Sequence, residues 1–108
     1  MNGSFEIQEY TEGGRSPFAE WFDDLDAVTA ARVDRYVRRL EAGNSGAAKP
    51  LRDGVFELRL DFGPGYRVYY GREGRTIIIL LGGGSKRRQD ADIAAAVERW
   101  KRYKQTKA

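Results

Sequence analysis

Two arginines and a tyrosine stand out for what they could do together. Arg59 lies in Gly54-Val-Phe-Glu-Leu-Arg-Leu-Asp-Phe62, and Arg67 and Tyr69 lie in Tyr66-Arg-Val-Tyr-Tyr70. Both stretches alternate polar and apolar residues with the period of a β-strand. They are separated by Gly63-Pro64-Gly65, a turn whose glycines tolerate positive φ and whose proline fixes it. Folded as an antiparallel hairpin, they put Arg59, Arg67 and Tyr69 on one exposed face, above a buried face of Phe56, Leu58, Leu60, Phe62, Tyr66, Val68 and Tyr70. A second cationic run, Lys86-Arg87-Arg88, follows the triple glycine 82–84. Arginine presents a planar fork of donors suited to phosphate. Such a platform can stabilise the charge that develops when a ribose 2′-OH attacks its own phosphodiester, at about 3–4 kcal/mol per well-placed donor. An aromatic ring can stack on a base. A lysine or tyrosine serving as acid or base would need its pKa lowered by the surrounding positive charge.

Composition narrows the chemistry further. The 108 residues contain no histidine and no cysteine. The commonest general base near neutral pH is therefore missing, and so are the usual zinc ligands. We expect no metal and no cofactor. The net charge of +3 is unevenly spread: residues 1–30 carry −6 and the remainder +9. A basic surface favours polyanions through counterion release. No apolar run approaches the ~20 residues that span a bilayer, and no basic-then-apolar leader is visible, so the expected location is cytoplasmic.

The elements that must position these residues are legible along the chain, which reads as a single domain over 1–108. Phe5 to Tyr10 alternates as a short strand. Ser16-Pro17 is a helix start, serine as cap and proline at the first helical position. Asp26 caps a second helix running to about Ala42, with Val33, Tyr36, Val37 and Leu40 as its apolar stripe. Its arginines read as a solvated face. Residues 44–53 read as a loop. Thr76 to Leu81 is wholly apolar and predicts the most buried strand, ended by the triple glycine. A last helix begins near Gln89, with Ile93, Val97 and Trp100 inward. The order β-α-α-β-β-β-α predicts an α+β domain with helices against one face of the sheet.

Three further readings stay open on spacing alone. The triple glycine either lets the chain turn tightly or lets Lys86, Arg87 and Arg88 approach the platform. Glu57 is either a base or an internal partner for an arginine. Asp90 and Asp92 fit the favoured place for acids at a helix N-terminus.

The run Gly54-Val55-x-Glu57-Leu58-Arg59-x-x-x-Gly63-Pro64-Gly65-Tyr66-Arg67-Val68-Tyr69 resembles the addiction-module killer proteins, HigB-like phage-derived toxins of the RelE/ParE superfamily. Arg39-Leu40-Glu41-x-Gly43-Asn44, Lys49-Pro50 and Leu81-x-Gly83-Gly84-x-Lys86-x-x-Gln89-Asp90-x-Asp92-Ile93 match as well, so the resemblance covers about residues 5–103. It implies a RelE-like fold, with two N-terminal helices on a small twisted sheet and a C-terminal helix. It also implies a cognate antitoxin, a helix-turn-helix DNA-binding protein, and ribosome-dependent, metal-independent mRNA cleavage that inhibits translation. It places Arg59, Arg67 and Arg87 on phosphate and Lys86 in proton transfer; Tyr69 or Tyr70 is the substitute for the tyrosine of some relatives, and strand alternation favours Tyr69. Two positions depart from the pattern. Glu57 stands where RelE-type enzymes have a further basic residue, and Ile93 where some relatives have a tyrosine. ParE-type relatives share the fold and act on gyrase, so a non-nucleolytic toxin or binding module is the alternative.

Overall fold

The computed structural model describes residues 4–46 and 48–107. The chain runs β1 (Glu6–Glu9), α1 (Pro17–Asp23), α2 (Ala27–Glu41), β2 (Ala48–Pro50), β3 (Val55–Arg59), β4 (Arg67–Glu73) and β5 (Ile77–Gly84). A 3-10 turn (Lys86–Arg88) then leads into α3 (Gln89–Lys107). The helix starts follow the local chemistry. The Ser16 side chain accepts a hydrogen bond from the Ala19 N–H at 3.0 Å, and Asp26 accepts one from the Thr29 N–H at 3.1 Å. Val33, Val37 and Leu40 are the buried stripe of α2. Its arginines lie on the exposed side, where Arg38 pairs with Glu41 and Arg32 stacks over Phe62.

The strands form one mixed five-stranded sheet in the order β1-β5-β4-β3-β2. β1 pairs parallel with β5, and the other neighbours are antiparallel. The α+β class holds, with two differences. The segment read as a loop contains β2, which extends the sheet by pairing Lys49 with Glu57. Helices also cover both faces rather than one. Leu58, Leu60, Val68, Tyr70, Ile78 and Leu80 pack beneath α1 and α2, while Val55, Tyr69, Ile79 and Leu81 pack beneath Ala96, Val97 and Trp100 of α3. β5, covered on both sides, is the most buried strand, as its unbroken apolar run requires.

The triple glycine belongs to β5 itself and does not end it. Its role is close approach. A Cβ on Gly83 would fall 2.2 Å from the Trp21 ring, and one on Gly84 would fall 2.0 Å from the Asp92 carboxylate. Successive residues therefore admit α1 from one face and the start of α3 from the other. The register shifts between Tyr69 and Tyr70, where Leu81 is the extra residue opposite β4.

Candidate anion-binding site at the open end of the sheet

Strand alternation places Glu57, Arg59, Arg67 and Tyr69 on the α3 side of the sheet, as the sequence predicts. The register puts Lys49, Glu57, Tyr69 and Gly82 in one row, and Arg59, Arg67 and Gly84 in the next. The expectation that this face is exposed does not hold throughout. Arg59 is exposed, but Glu57 and Tyr69 are each only 1% exposed and Arg67 6%. The start of α3 lies over them, an arrangement set by the chain reversal after β5 and invisible in the hairpin's own pattern.

Glu57 is the hub of this layer. One carboxylate oxygen accepts a hydrogen bond from the Gln89 side-chain amide at 2.9 Å and lies 3.6 Å from Arg67 Nε. The other lies 3.9 Å from Lys49 Nζ. The ion-pair reading of Glu57 is thus the one realised, and at this depth the carboxylate has no open path to a substrate. Arg67 is doubly committed: beside facing Glu57, it donates from Nη1 to the Gly65 carbonyl.

That second contact couples the hairpin to the basic turn. Gly65 has φ +76°, and a Cβ there would meet Arg67 Nη1 at 2.8 Å and Lys86 Cβ at 3.1 Å. The Lys86 N–H also donates to the Pro64 carbonyl at 3.3 Å. Glycine at 65 therefore serves both the turn geometry and the approach of Lys86 to Arg67. Lys86 and Arg87 are exposed, and with Arg88, Gln89, Asp90 and Ala91 they line a shallow open depression of about 450 Å³.

Tyr69 departs from expectation in its acidity as well as its burial. Burial pushes its hydroxyl up from the ordinary tyrosine range, and the charges of Glu57 and Asp92 add to the effect, with only Arg67 opposing. The hydroxyl has no hydrogen-bond partner among the described residues. It is a neutral core group, so the surrounding cations do not convert it into a base. Asp92, lodged against Gly84, is also raised, first by burial, with Arg88 and Arg99 pulling the other way. Among the described residues no group of acids, histidines or cysteines is arranged to hold a metal, and no helix is long and apolar enough to cross a membrane.

Of the five residues singled out from sequence, the fold gathers Arg59, Arg67, Lys86 and Arg87 at the open end of the sheet and buries Tyr69 beneath α3. Lys49 and Gln89 stand among the matching motifs, but sequence reasoning gave neither a role at the site. Lys49 could be given one only by recognising β2, whose register aims it at Glu57.

A family model described as phage-derived protein Gp49-like matches residues 20–103, which hold every residue of this site. The chain belongs to this Gp49-like family. A Haemophilus influenzae protein, itself uncharacterised, is 44% identical over 80 residues, covering 73% of this chain and 81% of its own length. In this Gp49-like chain the cationic end of the sheet is what the hairpin, β5 and the start of α3 jointly build.

Proposed function

We propose that this Gp49-like protein is the toxin of a type II toxin–antitoxin pair, HigB-like within the RelE/ParE superfamily, with a RelE-like fold. In this reading it acts in the cytoplasm as a ribosome-dependent, metal-independent mRNA endonuclease. Its cognate antitoxin is a helix-turn-helix DNA-binding protein. The observation that carries the reading is the junction at Gly65, where the hairpin arginine Arg67 and the distant Lys86 meet beside exposed Arg59 and Arg87.

The chemistry needs little beyond such a cluster. The ribose 2′-oxygen attacks the adjacent phosphorus and loses its proton, the bond to the 5′-oxygen breaks, and that oxygen gains a proton. The products are a 2′,3′-cyclic phosphate and a 5′-hydroxyl. Arg59 and Arg87 offer forked donors to the phosphoryl oxygens as charge accumulates. Lys86, at the rim and flanked by cations, is the group assigned to proton transfer. Arg67 contributes its charge from beneath and holds the Gly65 turn against Lys86. Translating ribosomes incubated with the protein in EDTA should yield new mRNA ends. An antitoxin-sensitive growth defect with intact mRNA would refute the nuclease reading.

One observation favours a second reading. Tyr69 is buried and neutral, and Ile93, on α3 itself, is a partly buried apolar residue packed against the core, so neither position offers an aromatic hydroxyl to a substrate. A non-nucleolytic, ParE-like toxin acting on gyrase needs none. It predicts altered supercoiling or DNA-damage signalling.

A further inference from the structure

We propose that the site binds an extended polyanionic strand across the sheet, not one phosphate, and that Lys49 of β2 holds its far end. The inference rests on the RNA-directed reading and adds a binding residue to it. Lys49 projects to the same face as Glu57, its cross-strand partner, and its side chain is 66% exposed. It lies at 3.9 Å from one oxygen of Glu57, whereas the other oxygen takes both the Gln89 hydrogen bond and the Arg67 guanidinium. One buried carboxylate thus faces two cations, and the charge left over is presented to solvent on the Lys49 side. Gln89, from α3, completes the compensation of Glu57 without using Lys49.

The cations step across the sheet in two adjacent rows, Lys49 in the row of Glu57 and Arg59 in the next, with Arg67 buried beneath the exposed ones. Lys49 stands on β2, Arg59 on β3, Arg67 on β4, and Lys86 and Arg87 just past the end of β5, in the spatial order of the sheet. Strands lie about 4.8 Å apart, so β2 to β5 spans about 14 Å. Arg59 and Arg87 serve the scissile phosphate, whereas Lys49, in the adjacent row on the edge strand beyond Arg59, is placed for a neighbouring phosphate. Lys49 lies at the edge of the sheet, where a strand can enter or leave without crossing α3.

The test is the salt dependence of binding to a labelled oligouridylate dodecamer, with the dinucleotide UpU as competitor. Each phosphate contact to a single strand contributes about 0.7 to the slope of log affinity against log salt. Lys49→Ala should reduce that slope by about 0.7, Lys49→Arg should restore it, and Lys101→Ala, a control on exposed α3, should leave it unchanged. With UpU, which carries one phosphate, Lys49→Ala should have no effect. A dodecamer slope identical in Lys49→Ala and Lys101→Ala would overturn the inference while leaving the RNA-directed reading standing. So would an equal loss with UpU, which would put Lys49 on the same phosphate as the others. Failure of the unaltered protein to bind the dodecamer at low salt would also overturn this inference, whereas the RNA-directed reading falls only if translating ribosomes yield no new mRNA ends.

Discussion

Replacing Arg67 with alanine should destabilise the fold as well as weaken the site. Glu57 is 1% exposed and Arg67 6%, with Nε 3.6 Å from the carboxylate. Breaking a buried pair by removing one partner costs roughly 3–5 kcal/mol, because an uncompensated charge remains in the interior. Here the Gln89 hydrogen bond at 2.9 Å and the exposed Lys49 at 3.9 Å still face Glu57. They place the expectation at the low end, about 3 kcal/mol. For a domain of this size that is a fall in Tm of roughly 12 °C or more, or a drop of about 1–3 M in the urea midpoint. Combining Arg67→Ala with Glu57→Gln removes the stranded charge, so the double variant should lose less than the sum of the two single losses, by about 1 kcal/mol or more. Urea denaturation of all four proteins measures this directly. A loss below about 0.5 kcal/mol for Arg67→Ala, or strict additivity with Glu57→Gln, would refute the hub described for Glu57.

Three other outcomes follow from the packing and the titrating groups. Leu58→Ala, at a buried position of the α1/α2 face, should cost about 2–5 kcal/mol in the same assay. Gly83→Ala should cost about 1–3 kcal/mol, since its Cβ would fall 2.2 Å from Trp21 and the indole must move. Thermal stability should fall as pH rises from 10 towards 12: Tyr103, partly buried and donating to Glu73 at 2.6 Å, is pushed up to about 12 from 10.0, and Tyr69 is raised too. Below the unfolded-state value both states hold the proton; above it the unfolded chain loses it first, so stability drains away through that window. Tyr103→Phe should shrink the pH dependence, and an unchanged profile would contradict the assignment.

How much of this was legible in the chain depends on which interactions are local. The alternation of Phe56 to Phe62 and Tyr66 to Tyr70 correctly sorted the two faces of the hairpin, because side-chain direction in a strand follows from sequence parity alone. Ser16 and Asp26 announced α1 and α2 through caps that bond three residues ahead. What failed was everything that α3 decides. Its apolar stripe at Val97 and Trp100 was visible, but not the face it would cover, so Arg67 and Tyr69 were expected in solvent and lie beneath it. β2 escaped because three residues ending in proline carry no periodicity, and a strand that short exists only through its pairing with β3. The triple glycine was weighed as a tight turn or as access for Lys86, Arg87 and Arg88, whereas its residues mark where other elements press against β5, a tertiary fact with no signature in the spacing.

Cleavage of RNA on the ribosome by the exposed cations at the open end of the sheet is the proposal with most to lose in experiment. It is tested most directly by mapping mRNA ends after brief induction of the unaltered protein, Arg59→Ala and Lys86→Ala, each shown to keep its thermal stability. New 5′-hydroxyl ends should appear within translated regions for the unaltered protein and be lost in both variants. Growth arrest with no such ends, or ends that persist undiminished when both cations are removed together, would contradict it.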